Sequence, residues 1–311
     1  MFTIIDITLL GTSALYPLPN RALTSVFLSC EGHSILFDCG EGTQTAARRA
    51  GVSLMKTDII AITHYHGDHI FGIPGLLQTM TSMNRTDKLY ITGPEGLCDS
   101  LEPIFKLAGD LSFEVELTEI PCEGVMLAEK IQGWPYESKL SAFRTKHRII
   151  SQGYSFILGR AGKFMPDKAK ELGIPVQLWK VLQRGENVQI DGRTIKPEQV
   201  LGEARKGLKF VFTGDTTECD NLIEAARDAD LMISEATFGE KEQAQFAIER
   251  GHMNFSHAAD AAKNAGVKRL WLAHYSPRIE DPLQYLHNAA EIFAETSCGY
   301  DGMKITLTFE N

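Results

Sequence analysis

The chain has 311 residues, 43% of them hydrophobic, and a formal net charge of −9. That length and apolar fraction suit one large or two small α/β domains with a sizeable core. The acidity excludes a surface coated in nucleic-acid-binding charge, though a local basic patch can still hold phosphates.

The opening stretch "MFTIIDITLLGTS" lacks the basic region and cleavage site of a signal peptide, and no stretch reaches the roughly 18 apolar residues that span a bilayer. The expected setting is therefore cytoplasmic, with no membrane partner. Strand-like runs then recur: "FTIIDITLLG", "SVFLSCEGHSILFDCG", "DIIAITH", "KLYITG", "FEVELTEI", "GYSFILG", "KFVFTGD", "DLMISEAT" and "RLWLAH". Helix-like stretches lie between them, "GTQTAARRAG", "CDNLIEAARDA" and "SHAADAAKNAG" among them, with a further helix start at "IFGIPGLLQTM". Such alternation predicts an α/β fold with helices covering sheet. Six cysteines at wide spacings, with no CxxC pair, read as buried reduced thiols.

Residues 160 to 207 break the pattern, being rich in Lys, Arg and Gly and poor in strand signals. The first half reads as two short helices broken at "LGIP". From composition alone, a solvated surface insertion is favoured over a protruding arm.

The chemistry concentrates in "HYHGDH", where His64, His66, Asp68 and His69 follow a strand in a chain with nine histidines. His64 and His66 point to one side of an extended segment, Asp68 and His69 follow at a helix start, and Gly67 permits the turn. That spacing offers two imidazoles to one metal and a carboxylate plus an imidazole to another. More ligands are needed for two metals with open positions. His147, Asp215, Glu235 and His274 all lie beside strand ends, where α/β folds gather functional loops. Asp215 is best suited to bridge, because a carboxylate has two oxygens for cations about 3.5 to 4 Å apart. His252, before a helical stretch, reads either as part of the site or as a helix-capping surface residue. His257 reads as structural, and His33 and His287 as surface residues. Asp38 in "LFDCGEG" either orients a ligand histidine or caps its own turn.

With these residues in view, the chain resembles the metallo-β-lactamase superfamily, and within it the ribonuclease Z family of tRNA 3′-processing endonucleases. The similarity is carried by "TLLGTSA", "LFDCGEGTQ", "HYHGDHIFGIPGLL", "KHRIISQGYSF", "FTGDT", "ISEATF", "GHMNFSHAADAAKNAG" and "LAHYSPR". It implies one domain over residues 1–311 with the four-layer αββα sandwich, and a substrate-binding arm at 160–185. It implies two Zn2+ per subunit, with Mn2+ or Fe as alternatives. His64, His66 and His147 would hold one ion, Asp68, His69 and His274 the other, and Asp215 would bridge. Asp68, Glu235 and His252 would be the catalytic residues. Precursor tRNA would be the substrate, and a homodimer would carry each arm across to its partner.

Arg21, from the substrate loop, and Lys163, Lys168, Lys170, Lys180 and Arg184 of the arm are the expected tRNA contacts, with Trp179 as a stacking or packing ring. Four segments depart from the family pattern: "GIPVQLW" in the arm, "PLPNRA" in the substrate loop, "HMN" after Gly251, and Ser234 before Glu235. None touches an expected ligand. Two metals lower the pKa of a bridging water toward about 7 and neutralise charge on the phosphate oxygens. His252, oriented by Glu235, would give the leaving 3′-oxygen its proton. The alternatives are a two-metal hydrolase of small phosphodiesters or esters, a thioester or β-lactam hydrolase, and a scaffold that has lost activity.

Overall fold

The computed structural model describes residues 4–135 and 137–309. The first sheet contains β1 (Ile4–Gly11), β2 (Ser25–Cys30), β3 (His33–Phe37), β4 (Ile59–Ala61), β5 (Leu89–Thr92) and β6 (Val115–Thr118). The second begins with β7 (Val125–Met126), β8 (Ser138–Arg144) and β9 (Gln152–Arg160). A separate hairpin, β10 (Val188–Ile190) and β11 (Arg193–Ile195), intervenes. The second sheet resumes with β12 (Arg205–Phe212), β13 (Leu231–Glu235), β14 (Leu270–Ala273) and β15 (Thr296–Cys298), and β16 (Met303–Thr308) returns to pair with β1. Both large sheets have seven strands, in the orders 16-1-2-3-4-5-6 and 15-14-13-12-9-8-7.

Period-two alternation decides which side chains enter which layer. On β2, Val26 and Leu28 enter the core between the sheets while Phe27 faces outward, and β12 does the same with Phe210 and Phe212 inward and Val211 outward. Because both faces are buried, these strands read as nearly continuous apolar runs. Phe37 packs against Tyr154, Phe210 and Phe212 with ring centroids 5.6 to 5.9 Å apart, locking the sheets together.

Helices α1 (Thr43–Arg49), α3 (Ile73–Ser82) and α4 (Leu97–Ala108) cover the first sheet, with α2 (Gly67–Ile70) just before α3. The short α5 (Leu127–Lys130) packs by β7. Helices α6 (Pro166–Glu171) and α7 (Val176–Gln183) occupy the first half of the basic excursion. On the second sheet lie α8 (Asp220–Ala226), α9 (Ala244–Arg250), α10 (Phe255–Ala265) and α11 (His287–Ala290). The apolar faces of α8 and α10 complete the outer core there. Helix, sheet, sheet and helix therefore stack as the four-layer αββα sandwich.

Some details differ from the sequence reading. The hairpin β10–β11 lies in the stretch that is poor in strand signals; its turn is Asp191–Gly192, both with positive φ, which a two-residue hairpin loop demands. The excursion also has a core of its own, in which Ala169, Ile174 and Leu182 of the helical half meet Val188, Ile195 and Val200. His33 is half-buried and partnered where the sequence reads as plain surface: its Nδ1 lies 3.2 Å from Asp58 and its ring 5.3 Å from that of Trp134. His287 is exposed, and the His257 N–H is capped by Asn254 at 2.9 Å. All six cysteines are free, but only Cys30 and Cys39 are buried, and Cys98 and Cys122 are exposed.

Candidate metal centre

The chain delivers its histidines and carboxylates to one edge of the two sheets. His64 and His66 follow β4, Asp68 and His69 sit in α2, and His147 lies between β8 and β9. Asp215 follows β12, Glu235 ends β13 and His274 follows β14. Close packing demands glycine beside two of them: a Cβ at Gly214 (φ 59°) would sit 2.7 Å from the Thr63 Cβ, and one at Gly40 would strike the Asp68 backbone oxygen. Asp38 and His274 adopt positive φ, at 56° and 57°. For residues with side chains this is a strained conformation, of the kind that gathers at functional sites.

His64, His66, His147 and Asp215 each offer a ligand atom within 4.8 Å of one another, and so do Asp68, His69 and His274. The Asp215 Oδ2 lies 3.6 Å from both His64 Nε2 and His69 Nε2, and its Oδ1 lies 3.2 Å from His274 Nε2. Asp215 thus stands between the clusters.

Hydrogen bonds from behind fix which nitrogen faces forward. The Nδ1 of His69 is 2.7 Å from Asp38 Oδ2, that of His147 is 2.7 Å from the Gly251 carbonyl, and that of His274 is 3.0 Å from Thr237 Oγ1. The His64 Nδ1 meets Thr63 Oγ1 at 3.1 Å, and that hydroxyl donates to Asp38 at 2.8 Å. With Nδ1 donating, each Nε2 presents a lone pair inward. Asp38 is fully buried and serves both His64 and His69, which favours the orienting role over a turn cap.

A cation fits this donor set. His69 Nε2, His274 Nε2 and Asp215 Oδ1 are buried with no hydrogen-bond partner, a costly state unless something positive sits among them. Burial and His69 hold the His64 imidazole well below its ordinary pKa, in the neutral form that binds metal. Burial opposes a charge on His69, yet Asp215, Asp38 and Asp68 push its protonation well up. Three carboxylates around one buried imidazole create a demand for positive charge that divalent ions satisfy.

Beside these clusters, Glu235 accepts from Thr216 N–H at 2.9 Å, Thr237 Oγ1 at 2.7 Å and Met253 N–H at 3.1 Å. His252 Nδ1 lies 2.9 Å from Glu235 Oε1, leaving Nε2 for the cleft. Burial disfavours the charge on His252, but Glu235 outweighs it and pushes the pKa up to about 9.

The cleft measures about 640 Å³. Arg21 does not line it: this arginine is buried, stacks over Tyr275 and donates to the Ile279 carbonyl at 2.8 Å. Lys163, Lys168, Lys170, Lys180 and Arg184 are exposed on the excursion, away from the cleft lining. Trp179 is a packing ring, 5.1 Å from Phe164, with its indole N–H on the Ile174 carbonyl. Sequence reasoning missed Thr63 and Thr237, which adjoin singled-out motifs, and the aromatic and arginine lining of Phe71, Phe246, Arg148, Arg250 and Arg278. Phe71, Arg148 and Arg278 stand inside quoted motifs without anything local marking them as lining, and Phe246 and Arg250 have no local signature, because the fold alone collects them.

Two family profiles match the chain, one described as Anti-Pycsar protein Apyc1 over residues 5–178 and one described as the beta-lactamase superfamily domain over residues 126–275. Among curated relatives, the ribonuclease Z of Lachnoclostridium phytofermentans is 41% identical over 98% of this chain and 99% of its own. That of Agathobacter rectalis is likewise 41% identical, over 98% and 99%. Among solved structures, the short form of human tRNase Z superposes with a TM-score of 0.66 at 29% identity, covering 96% of this chain and 98% of the human one.

Proposed function

This chain belongs to the ribonuclease Z family of the beta-lactamase superfamily, and we propose from that premise that it is a metal-dependent endoribonuclease that removes the 3′ trailer from precursor tRNA. The observation that carries the reading is the meeting, in one cleft, of two His/Asp clusters and the Glu235–His252 pair.

His64, His66 and His147 would hold one ion, Asp68, His69 and His274 a second, with Asp215 between them; two Zn2+ per subunit suit these imidazoles and carboxylates, and Mn2+ or Fe would also be accepted. Bound there, such ions supply an acidified water for attack and neutralise charge building on the phosphate oxygens. The protein's own groups do the remaining work. Asp38, Thr63, Thr237 and the Gly251 carbonyl hold the imidazoles in one tautomer. Glu235 keeps His252 protonated at neutral pH, with Nε2 toward the cleft, where it gives a proton to the departing O3′. Asp68 is anchored by the N–H of Leu15, just ahead of the "PLPNRA" loop, at 2.9 Å.

The basic excursion is the proposed arm, with ten Lys/Arg against six Asp/Glu across residues 160–207 of an otherwise acidic chain. Among the described residues no helix is long and apolar enough to cross a membrane. The substrate places the enzyme in the cytoplasm, and a homodimer lets each arm grip the tRNA that its partner cuts.

Departure of O3′ predicts a 3′-hydroxyl on the tRNA and a 5′-phosphate on the trailer. End analysis of the products tests this. A 2′,3′-cyclic phosphate on the tRNA would mean attack by the ribose and contradict the reading.

A further inference from the structure

The cleft wall next to His252 is paved with rings that the metal chemistry does not need. Phe238 lies 6.3 Å from the His252 ring and 5.4 Å from the Phe246 ring, and the Arg250 guanidinium stands 5.0 Å from the Phe246 ring. Phe246 and Arg250 are four residues apart on α9, so they share one helix face. Phe246 remains 44% exposed although a phenylalanine at that exposure gains little from folding, and Arg250 is exposed with no carboxylate paired to it among the described ion pairs. Phe238 meets both neighbouring rings edge to face, and the exposed Phe246 ring with a guanidinium over it is a combination on which a nucleobase rests.

Which base it holds follows from direction. The leaving oxygen is the O3′ of the last nucleotide retained in the mature tRNA. The proton for it comes from His252 Nε2, because Nδ1 is engaged by Glu235. The ribose of the retained nucleotide therefore lies against His252, and the rings there that are not expected metal ligands are Phe238 and, next to it, Phe246.

We propose that Phe246 and Arg250, backed by Phe238, form the subsite for the nucleobase immediately 5′ of the scissile phosphate. This rests on the endonuclease reading and gives it a specificity element. Stacking is tolerant of base identity, so the subsite senses the presence of a base and not its sequence.

The test compares metal-loaded wild type, Phe246→Ala and Phe246→Leu on three precursor tRNAs: one intact, one abasic at the last retained nucleotide, and one abasic at the first trailer nucleotide. Metal content and thermal melting of each variant establish that it is folded. Wild type should lose about tenfold or more in kcat/KM on the substrate lacking the retained base, the size expected for one stacked base. In both variants that ratio should fall to near one, while the penalty for the missing trailer base stays as in wild type. An unchanged retained-base ratio in the variants, or a variant effect confined to the trailer base, would overturn the subsite. If wild type leaves all three tRNAs uncut while hydrolysing bis(p-nitrophenyl) phosphate, the endonuclease reading fails and the subsite falls with it; intact cutting with an unchanged ratio sinks the subsite alone.

Discussion

Asp215 is the residue on which both clusters depend. Its oxygens face His64, His69 and His274, and those imidazoles keep it ionised well below the ordinary carboxylate range although burial opposes the charge. Asp215→Ala should lose bound metal and hydrolysis of every substrate, while circular dichroism stays native; metal analysis that finds full loading would contradict this. Asp38 acts one step back, through His69 and Thr63. Asp38→Asn should weaken metal affinity by about 10- to 100-fold, read by competition with a chelating dye. His252 makes a pH prediction. In the proposed role its acid form is the active one, Glu235 stabilises that form, and cations in the cleft would oppose it, so the alkaline limb of kcat should lie no higher than about 9. In Glu235→Gln the limb should move to lower pH and kcat at neutrality should fall by about 10²- to 10⁴-fold, with a smaller loss on a p-nitrophenyl diester, whose leaving group needs no proton. An alkaline limb at the wild-type position would remove His252 from the role. At this scale "HYHGDH" was legible in the sequence because four donors sit in six positions. Thr63 and Thr237 were not, since a threonine acquires an orienting role only when a particular imidazole is folded against it. Arg21 shows the converse, a motif arginine that the fold turns inward onto the Ile279 carbonyl.

The basic excursion tests the account at the scale of elements. The two helices at 166–183 followed from composition and the break at "LGIP", while the hairpin at 188–195 was not legible because its strands have three residues each. That hairpin matters for experiment, because Val188 and Ile195 pack against Ala169 and Leu182. Excising residues 163–184 would strip half of a small core and expose the rest. The ends of the whole unit meet nearer the sheet, where Gly202 N–H donates to the Lys163 carbonyl at 2.9 Å. Removal of residues 163–201 is therefore the cleaner deletion. A gentler variant replaces Lys168, Lys170, Lys180 and Arg184 by Gln, which leaves the core untouched because all four are exposed. It should weaken tRNA binding and reduce the slope of log K against log salt by about 0.7 to 0.9 for each phosphate no longer neutralised. An unchanged slope would show that these cations do not meet the tRNA.

Across the whole molecule, the sandwich was legible because strands buried on both faces leave apolar runs that no loop would carry, as in "HSILF" and "LMISE". The pairing of runs so far apart in sequence was not legible, since register depends on packing that only the folded chain displays: Ile233 beside Trp271 in one sheet, Ile5 beside Leu307 in the other. The same packing carries loops from positions 64 to 274 to one edge, so an acidic protein acquires a cation-demanding cleft. The measurement that tests this account most directly is cleavage of an end-labelled precursor tRNA with a 3′ trailer, by metal-loaded and by chelated protein, with bis(p-nitrophenyl) phosphate assayed in parallel. The account predicts a single cut at the trailer junction that disappears with the metal and returns when Zn2+ is restored. Turnover of the small diester with the tRNA left whole would contradict it.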